Sequence, residues 1–324
     1  MNEDWPPPLR DLAGEVGAAC ADAFGGATVT SVEVAPAGHS GFTYFLHLDR
    51  PPGAAVVRVP PPGARPIGAA DVVRQGRIMA ALHAAGIPAP EVVAMGEPGT
   101  TRAGRPFVLM RLVEGDNVEE AARNEQPATI IKSAVEVLAE IRGLPLEATG
   151  IGGEAIQPPV RQVDRWEPLL SRGPAELVTR GPELASRLRG LEPNAGQAAL
   201  AHGDYTLGNL LFSKGAVAAV LDWEIAELGP PEVDLACLCV TAMRRRFPGL
   251  NRGGQVAVDV EEILALARGY HDIEWFIAAG CYKYAAILAY NLDLHLRGRR
   301  VDPIYEGLRH TISGLIEAGL ETLA

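Results

Sequence analysis

The run His202-Gly203-Asp204-Tyr205-Thr206-Leu207-Gly208-Asn209 places a carboxylate and an amide five positions apart in a polar loop between apolar AAL and LLF. Ser213-Lys214-Gly215 then reads as a hairpin turn, and AVAAVLDWE as a strand with Asp222 at its end. Folding that hairpin would return Asp222 beside Asn209. Together they offer a carboxylate and an amide oxygen to a hard divalent cation, and magnesium takes such ligands along with phosphate oxygens. Asp204 is left to accept a proton from a hydroxyl. Phosphoryl transfer needs this division of labour, because there the protein mostly positions the nucleophile and neutralises phosphate charge. Asp and Asn also occur in turns for local hydrogen bonding, so His-Gly-Asp alone means little. The joint spacing H-G-D-x-x-x-x-N, turn, apolar-Asp-Trp-Glu carries the weight.

These residues need a frame. The first 112 residues read as a helix over 9–24, then strand, strand, strand, helix, strand, strand. The β-branched stretch TVTSVEVAPAG comes first, followed by Phe42–Leu48 and AAVVRV, an antiparallel meander. A helix over 69–85 carries Val72, Val73, Ile78, Met79 and Leu82 on one face, with Gly86 as its cap. EVVAMGEP and RPFVLMRLV are two more strands around a GTTRAG turn. From Glu114 onward the pattern is mainly helical: 127–143, a short helix in ELASRLRGL, then 260–270, 273–297 and 303–321. Residues 154–182, which contain several Pro and one Trp, predict an irregular insertion around a helix. The boundary falls near Met110–Gly115, giving 1–112 as a nucleotide-binding lobe and 113–324 as a catalytic, acceptor-binding lobe.

The segment HGDYTLGNLLF…VLDWE…GPPEVDLACL resembles the aminoglycoside phosphotransferase and choline-kinase-like superfamily, nearest to the branch similar to the kinase-like domain of acyl-CoA dehydrogenase fusions. The resemblance implies an α+β, protein-kinase-like fold with a small antiparallel-sheet lobe and a larger helical one. It implies ATP- or GTP-dependent transfer of a γ-phosphoryl group to a hydroxyl of a small molecule, with Mg2+. By it Asp204 is the catalytic base, His202 braces the loop, and Asn209 and Asp222 are the metal ligands. Asp234 is then a structural aspartate near a helix start, suited to N-capping.

The resemblance extends more loosely to the first lobe. Gly38, Ser40 and Gly41 fall where the family covers the phosphates with a loop, and small residues let backbone N–H groups approach phosphate oxygens. Arg58 in VVRV stands where the kinase strand carries a lysine, and a charge on an apolar strand needs a partner. The helix acid that should pair with it is replaced by Gln75, leaving Asp71 one turn earlier as a substitute acid, a weaker pairing, or impaired machinery. Met110–Val113, with Met110 and Leu112, is the expected adenine strip.

Bulk properties set outer limits. The 324 residues carry 40 acidic and 29 basic side chains, net −11, so a nucleic-acid partner is not expected; the compact basic run Arg244–Arg246 reads as a solvated helix end. No stretch approaches the roughly 18 apolar residues that span a bilayer, and the start MNEDWPPPLR lacks signal-peptide character, so a cytoplasmic protein is expected. The four cysteines form no CxxC pair and read as buried thiols. Tyr282, Lys283 and Tyr284, with Asp272 and Glu274, are candidates for an acceptor pocket, and Glu224 and Glu227 for contact with a cationic acceptor. Two rivals remain: a nucleotide-binding regulatory protein without transfer activity, favoured by Gln75 and Arg58, and a metal-dependent hydrolase using His202 and Asp204. The acceptor and the oligomeric state are not legible.

Overall fold

The computed structural model describes residues 5–35, 42–65, 67–97, 99–194, 196–247, 256 and 258–324. It divides into two units. Unit one holds 1–115, 144–153 and 218–226; unit two holds 116–143, 154–217 and 227–324.

In unit one, α1 (Ala13–Ala23) precedes β1 (Val29–Val34), β2 (Phe42–Leu48) and β3 (Ala54–Val59), followed by α2 (Val72–Ala84), β4 (Val92–Gly96) and β5 (Phe107–Arg111). The helix foreseen over 9–24 is interrupted: Pro7–Arg10 makes one turn, and the longer helix restarts at Ala13. The strands form one antiparallel sheet in the order β1-β2-β3-β5-β4. Period-2 alternation decides which face each side chain takes. Ala55, Val57, Val59, Phe107 and Leu109 join Leu9, Leu12, Val16 and Cys20 in a core on one face. Arg58 and its register partner Val108 therefore turn to the other. On that side α2 lies close because Gly76 has no side chain: a Cβ there would sit 2.8 Å from Met95 Sδ and 2.9 Å from Val108 Cγ2. Segment 218–226 is fastened to this unit by Val220 N–H donating to Pro88 O (3.1 Å) and by Arg74 Nη2 donating to Ala226 O (2.9 Å).

Unit two is mainly helical. Its longer helices are α3 (Val118–Asn124), α4 (Pro127–Gly143), α5 (Gly181–Gly190), α6 (Glu232–Ala242), α7 (Val260–Leu266), α8 (Ile273–Leu296) and α9 (Arg309–Thr322). The insertion over 154–182 contains two single turns, Arg161–Asp164 and Glu167–Leu170. The 24-residue α8 is the central post, apolar nearly all round and packed against α6 and α9. Two short strands, β6 (Ala199–Ala201) and β9 (Glu227–Gly229), pair antiparallel and hold the approach to His202. β7 (Leu210–Ser213) and β8 (Ala216–Val220) form the expected hairpin, and the chain passes from unit two to unit one within β8. The foreseen strand AVAAVLDWE stops at Val220: Asp222 has φ +65°, a left-handed conformation outside the β region, and Trp223–Ile225 make a tight turn. Among the described residues no helix is long and apolar enough to cross a membrane.

Candidate active site

In unit two the site grows from the loop after β6. Gly203 takes φ +82°, a conformation that a glycine adopts without steric cost. This bend lets the two preceding amides face inward: His202 N–H donates to Asp234 Oδ2 (2.6 Å) and Gly203 N–H to Asp234 Oδ1 (2.8 Å). Asp234 is 1% exposed, and burial pushes its carboxyl up, an effect the two N–H groups only partly offset. The N-cap role foreseen for Asp234 is thus corrected. It lies in the first turn of α6, whose N-cap position is Pro231, and its carboxylate caps the loop instead of the helix. The buried His202 ring accepts at Nδ1 from Asp204 N–H (3.1 Å), a contact within the same loop. Tyr205, fully buried, anchors the next step by donating to Ala134 O (2.8 Å).

Asp204 leaves this scaffold with its side chain 34% exposed. Oδ1 accepts from Tyr284 Oη (2.7 Å) and Lys283 Nζ (3.2 Å), both on α8. Asn209 Nδ2 donates to the Asp204 carbonyl (2.8 Å) and to Oδ2 (3.2 Å). Burial alone would raise the Asp204 carboxyl, but the Lys283 ammonium and the Tyr284 hydroxyl outweigh it and hold the group below the usual carboxylate range. So His202, Asp204 and Asn209 are brought together, and Lys283 and Tyr284 join them. Tyr282 turns into the core at 1% exposure.

Unit one holds the other group. Arg58 Nη1 and Nη2 both donate to Asp222 Oδ1 (3.2 Å each), and Nη2 also donates to Glu224 Oε2 (3.3 Å). The Arg58 side chain is 15% exposed, so these carboxylates answer its need for countercharge. The acid expected on the helix is therefore supplied two residues after Asp222. Asp71 is not that acid: it accepts from Arg74 N–H (3.0 Å) and caps α2. Gln75 is buried on α2 at 1% exposure. Glu224 is engaged with Arg58. Glu227, 9% exposed, accepts from Gln162 Nε2 (2.7 Å) and Arg165 Nη1 (3.2 Å) and is structural, not a surface for a cationic acceptor.

Met110 is buried on β5 and Leu112, just beyond it, is 40% exposed. Gly38, Ser40 and Gly41 lie outside the described residues. In the basic run, Arg246 pairs with Glu321 (2.9 Å) and is exposed; the side chains of Arg244 and Arg245 lie outside the described set. All four cysteines are free and buried.

Asn209 and Asp222 are the expected metal ligands. Asn209 spends both amide protons on Asp204, so its Oδ1 points its lone pairs elsewhere. Asp222 takes Arg58 on Oδ1, and among the described residues Oδ2 accepts no hydrogen bond. Magnesium accepts oxygens of either kind, neutral or anionic. Among the described residues no group of three or more His, Cys, Asp or Glu is arranged to hold a metal on its own.

The family model described as "Phosphotransferase enzyme family" matches residues 31–277. Acyl-CoA dehydrogenase family member 11 of Gallus gallus is 31% identical over 316 residues, covering 90% of this chain and 40% of that protein. The Rattus norvegicus protein of the same name is 27% identical over 306 residues, covering 88% and 39%. The chain thus spans about two fifths of the length of these relatives. Among solved structures, an aminoglycoside phosphotransferase candidate from Ralstonia eutropha has TM-score 0.76 at 23% identity, covering 96% of this chain and 97% of that one. Aminoglycoside phosphotransferase APH(4)-Ia, in ternary complex with AMP-PNP and hygromycin B, has TM-score 0.64 at 15% identity, covering 95% and 99%. These structural likenesses establish the kinase-like fold.

Proposed function

The chain belongs to the phosphotransferase enzyme family, and we propose that it moves the γ-phosphoryl group of ATP or GTP to a hydroxyl of a small molecule, with Asp204 as catalytic base. The observation that carries this reading is the setting of Asp204: one-third exposed, and held by Tyr284, Lys283 and Asn209, whose hydrogen bonds fix its orientation.

The acceptor RO–H approaches Asp204. Its O–H bond breaks as the proton passes to the carboxylate, and the freed oxygen pair forms the new bond to the γ-phosphorus. The bond from γ-phosphorus to the bridging oxygen breaks, its electrons leaving on the nucleoside diphosphate. Asn209 and Asp222 are the residues that would hold Mg2+, which when bound neutralises phosphate charge. Arg58, kept in place by Glu224, offers a planar fork of donors suited to phosphate oxygens. Met110 and Leu112 would border the base of the nucleotide, and Gly38, Ser40 and Gly41 its phosphates. A nucleotide-binding protein without transfer activity was suggested by the lack of a helix acid for Arg58. Glu224 gives Arg58 a carboxylate from outside the helix, while Gln75 and Arg58 themselves still mark that alternative.

APH(4)-Ia binds AMP-PNP with hygromycin B, and a second neighbour, APH(2")-IIIa, binds GDP with kanamycin. Both support the pairing of a nucleotide with a small hydroxyl compound for this chain. The test is a panel of sugars, amino alcohols, aminoglycosides and hydroxyacyl thioesters, incubated with Mg-ATP or Mg-GTP and followed by phosphorus NMR. The proposal expects a new phosphate monoester that forms only with protein and nucleotide together. Binding of nucleotide with neither transfer to any acceptor nor slow hydrolysis would favour the regulatory reading.

A further inference from the structure

We infer that Lys283 and Tyr284 are positioning residues that commit one oxygen of Asp204 to the protein, so that the other, Oδ2, is the one that takes the acceptor's proton. The inference rests on Asp204 being the base and goes beyond it by assigning the reacting atom and the groups that select it.

Proton accounting leads there. An ammonium has three N–H donors and no acceptor. Lys283 Nζ donates to Gly203 O, to Asp204 Oδ1 (3.2 Å) and toward Cys237 Sγ (3.5 Å). No donor is left for a nucleotide phosphate or an acceptor. Its side chain is 2% exposed, its Nζ lying 4.7 Å from the centre of the Tyr284 ring and 5.7 Å from that of Trp166. Lys283 is thus turned wholly toward the loop. Tyr284 adds its hydroxyl to the same oxygen at 2.7 Å. Burial and the neighbouring Asp204 charge hold that phenol well above its ordinary range, so it remains a donor.

Oδ1 therefore has both lone pairs engaged. Among the described residues Oδ2 accepts from Asn209 Nδ2 alone, at 3.2 Å, and keeps one lone pair. Oδ1 is shared by the buried Lys283 and the half-buried Tyr284, which leaves Oδ2 as the oxygen with acceptor capacity to spare. Pairing the carboxylate with a cation lowers its basicity. That is tolerable here, because a loose phosphoryl-transfer transition state asks more of alignment than of proton abstraction.

The variants Tyr284→Phe and Lys283→Met remove one donor each and keep the bulk of the side chain; Asp204→Asn is the reference. Rates of Mg-ATP phosphoryl transfer to water and to any acceptor found in the panel are measured, with Mg-ATP affinity by calorimetry. Crystal structures of Tyr284→Phe and of the double variant are compared with wild type. Expected are a 5- to 50-fold loss of rate for Tyr284→Phe (about 1 to 2.3 kcal/mol) and a larger one for Lys283→Met, with Mg-ATP affinity within about threefold of wild type. In the double variant the Asp204 carboxylate should rotate away from α8. Wild-type rates in both single variants, or an unmoved carboxylate in the double variant, overturn the inference. If Asp204→Asn keeps the wild-type rate, the base assignment itself fails; if it is inactive while the α8 variants are unaffected, only the present inference fails. Should Lys283→Met not fold, Tyr284→Phe carries the test alone, and where turnover is too slow to read, the crystallographic orientation decides.

Discussion

Replacing Asp234 with alanine should loosen the catalytic loop without touching any group that meets substrate. Asp234 is buried, and its two oxygens receive the N–H groups of His202 and Gly203 at 2.6 and 2.8 Å. Hydrogen bonds to a charged group contribute about 1.5–3 kcal/mol each, and a buried N–H left orphaned costs about 1–3 kcal/mol. Against this, alanine removes a carboxylate whose burial is itself unfavourable, as the upward push on its pKa indicates. The net loss should be about 2–4 kcal/mol for Asp234→Ala, by difference of these effects. Asp234→Asn should cost less, because one amide oxygen can still accept while its NH2 confronts the second N–H. Urea unfolding, followed through the buried Trp223 and Trp275, gives the loss, and hydrogen exchange at the His202 and Gly203 amides shows where it arises. The rate of phosphoryl transfer should fall about 10- to 100-fold, the scale expected for slight misplacement of a reacting group. A wild-type unfolding midpoint in Asp234→Ala, with the two amides still protected, would refute the reasoning.

Glu224→Gln keeps shape but removes a carboxylate from Arg58, so Mg-ATP affinity by calorimetry should weaken about 3- to 30-fold, the scale of a partly buried charge pair; unchanged affinity would mean Arg58 has no need of it. Gly76→Ala forces a methyl against Val108 and Met95, and overpacking of this kind costs about 1–3 kcal/mol, read as a lower thermal midpoint. Burial pushes the Cys20 thiol up to about 11 and the Cys239 and Cys281 thiols up to about 12, and it raises Cys237 as well. A thiol with a raised pKa stays protonated below it, so at pH 8 none should react with a thiol reagent until denaturant is added, when four should. Fast labelling of the native protein would contradict the packing.

Much of the frame was legible from periodicity. The helix over 127–143 and the strand Phe42–Leu48 coincide with the predicted spans, since each has an unbroken apolar pattern between clear turn signals. The three-residue strands β6 and β9 carry too little pattern to be seen, and α3 was hidden because its acidic residues leave no broad apolar face. In the site, the H-G-D-x-x-x-x-N spacing announced Asp204 and Asn209 because their geometry is local. In the sequence Lys283 and Tyr284 read only as candidates for an acceptor pocket: they lie 79 and 80 positions from Asp204, and nothing in a helical run says which loop its side chains meet. Glu224 as the partner of Arg58 was equally hidden, because the left-handed turn at Asp222 redirects a chain that reads as continuous strand.

The central claim is that the Asp204 carboxylate receives the acceptor's proton. The most direct measurement is single-turnover transfer from Mg-ATP by Asp204→Asn, set beside its Mg-ATP affinity. The rate is predicted to fall about 100- to 10,000-fold, the usual contribution of a positioned general base, while affinity stays within about threefold. A variant that transfers phosphate at a rate within tenfold of wild type would contradict the account.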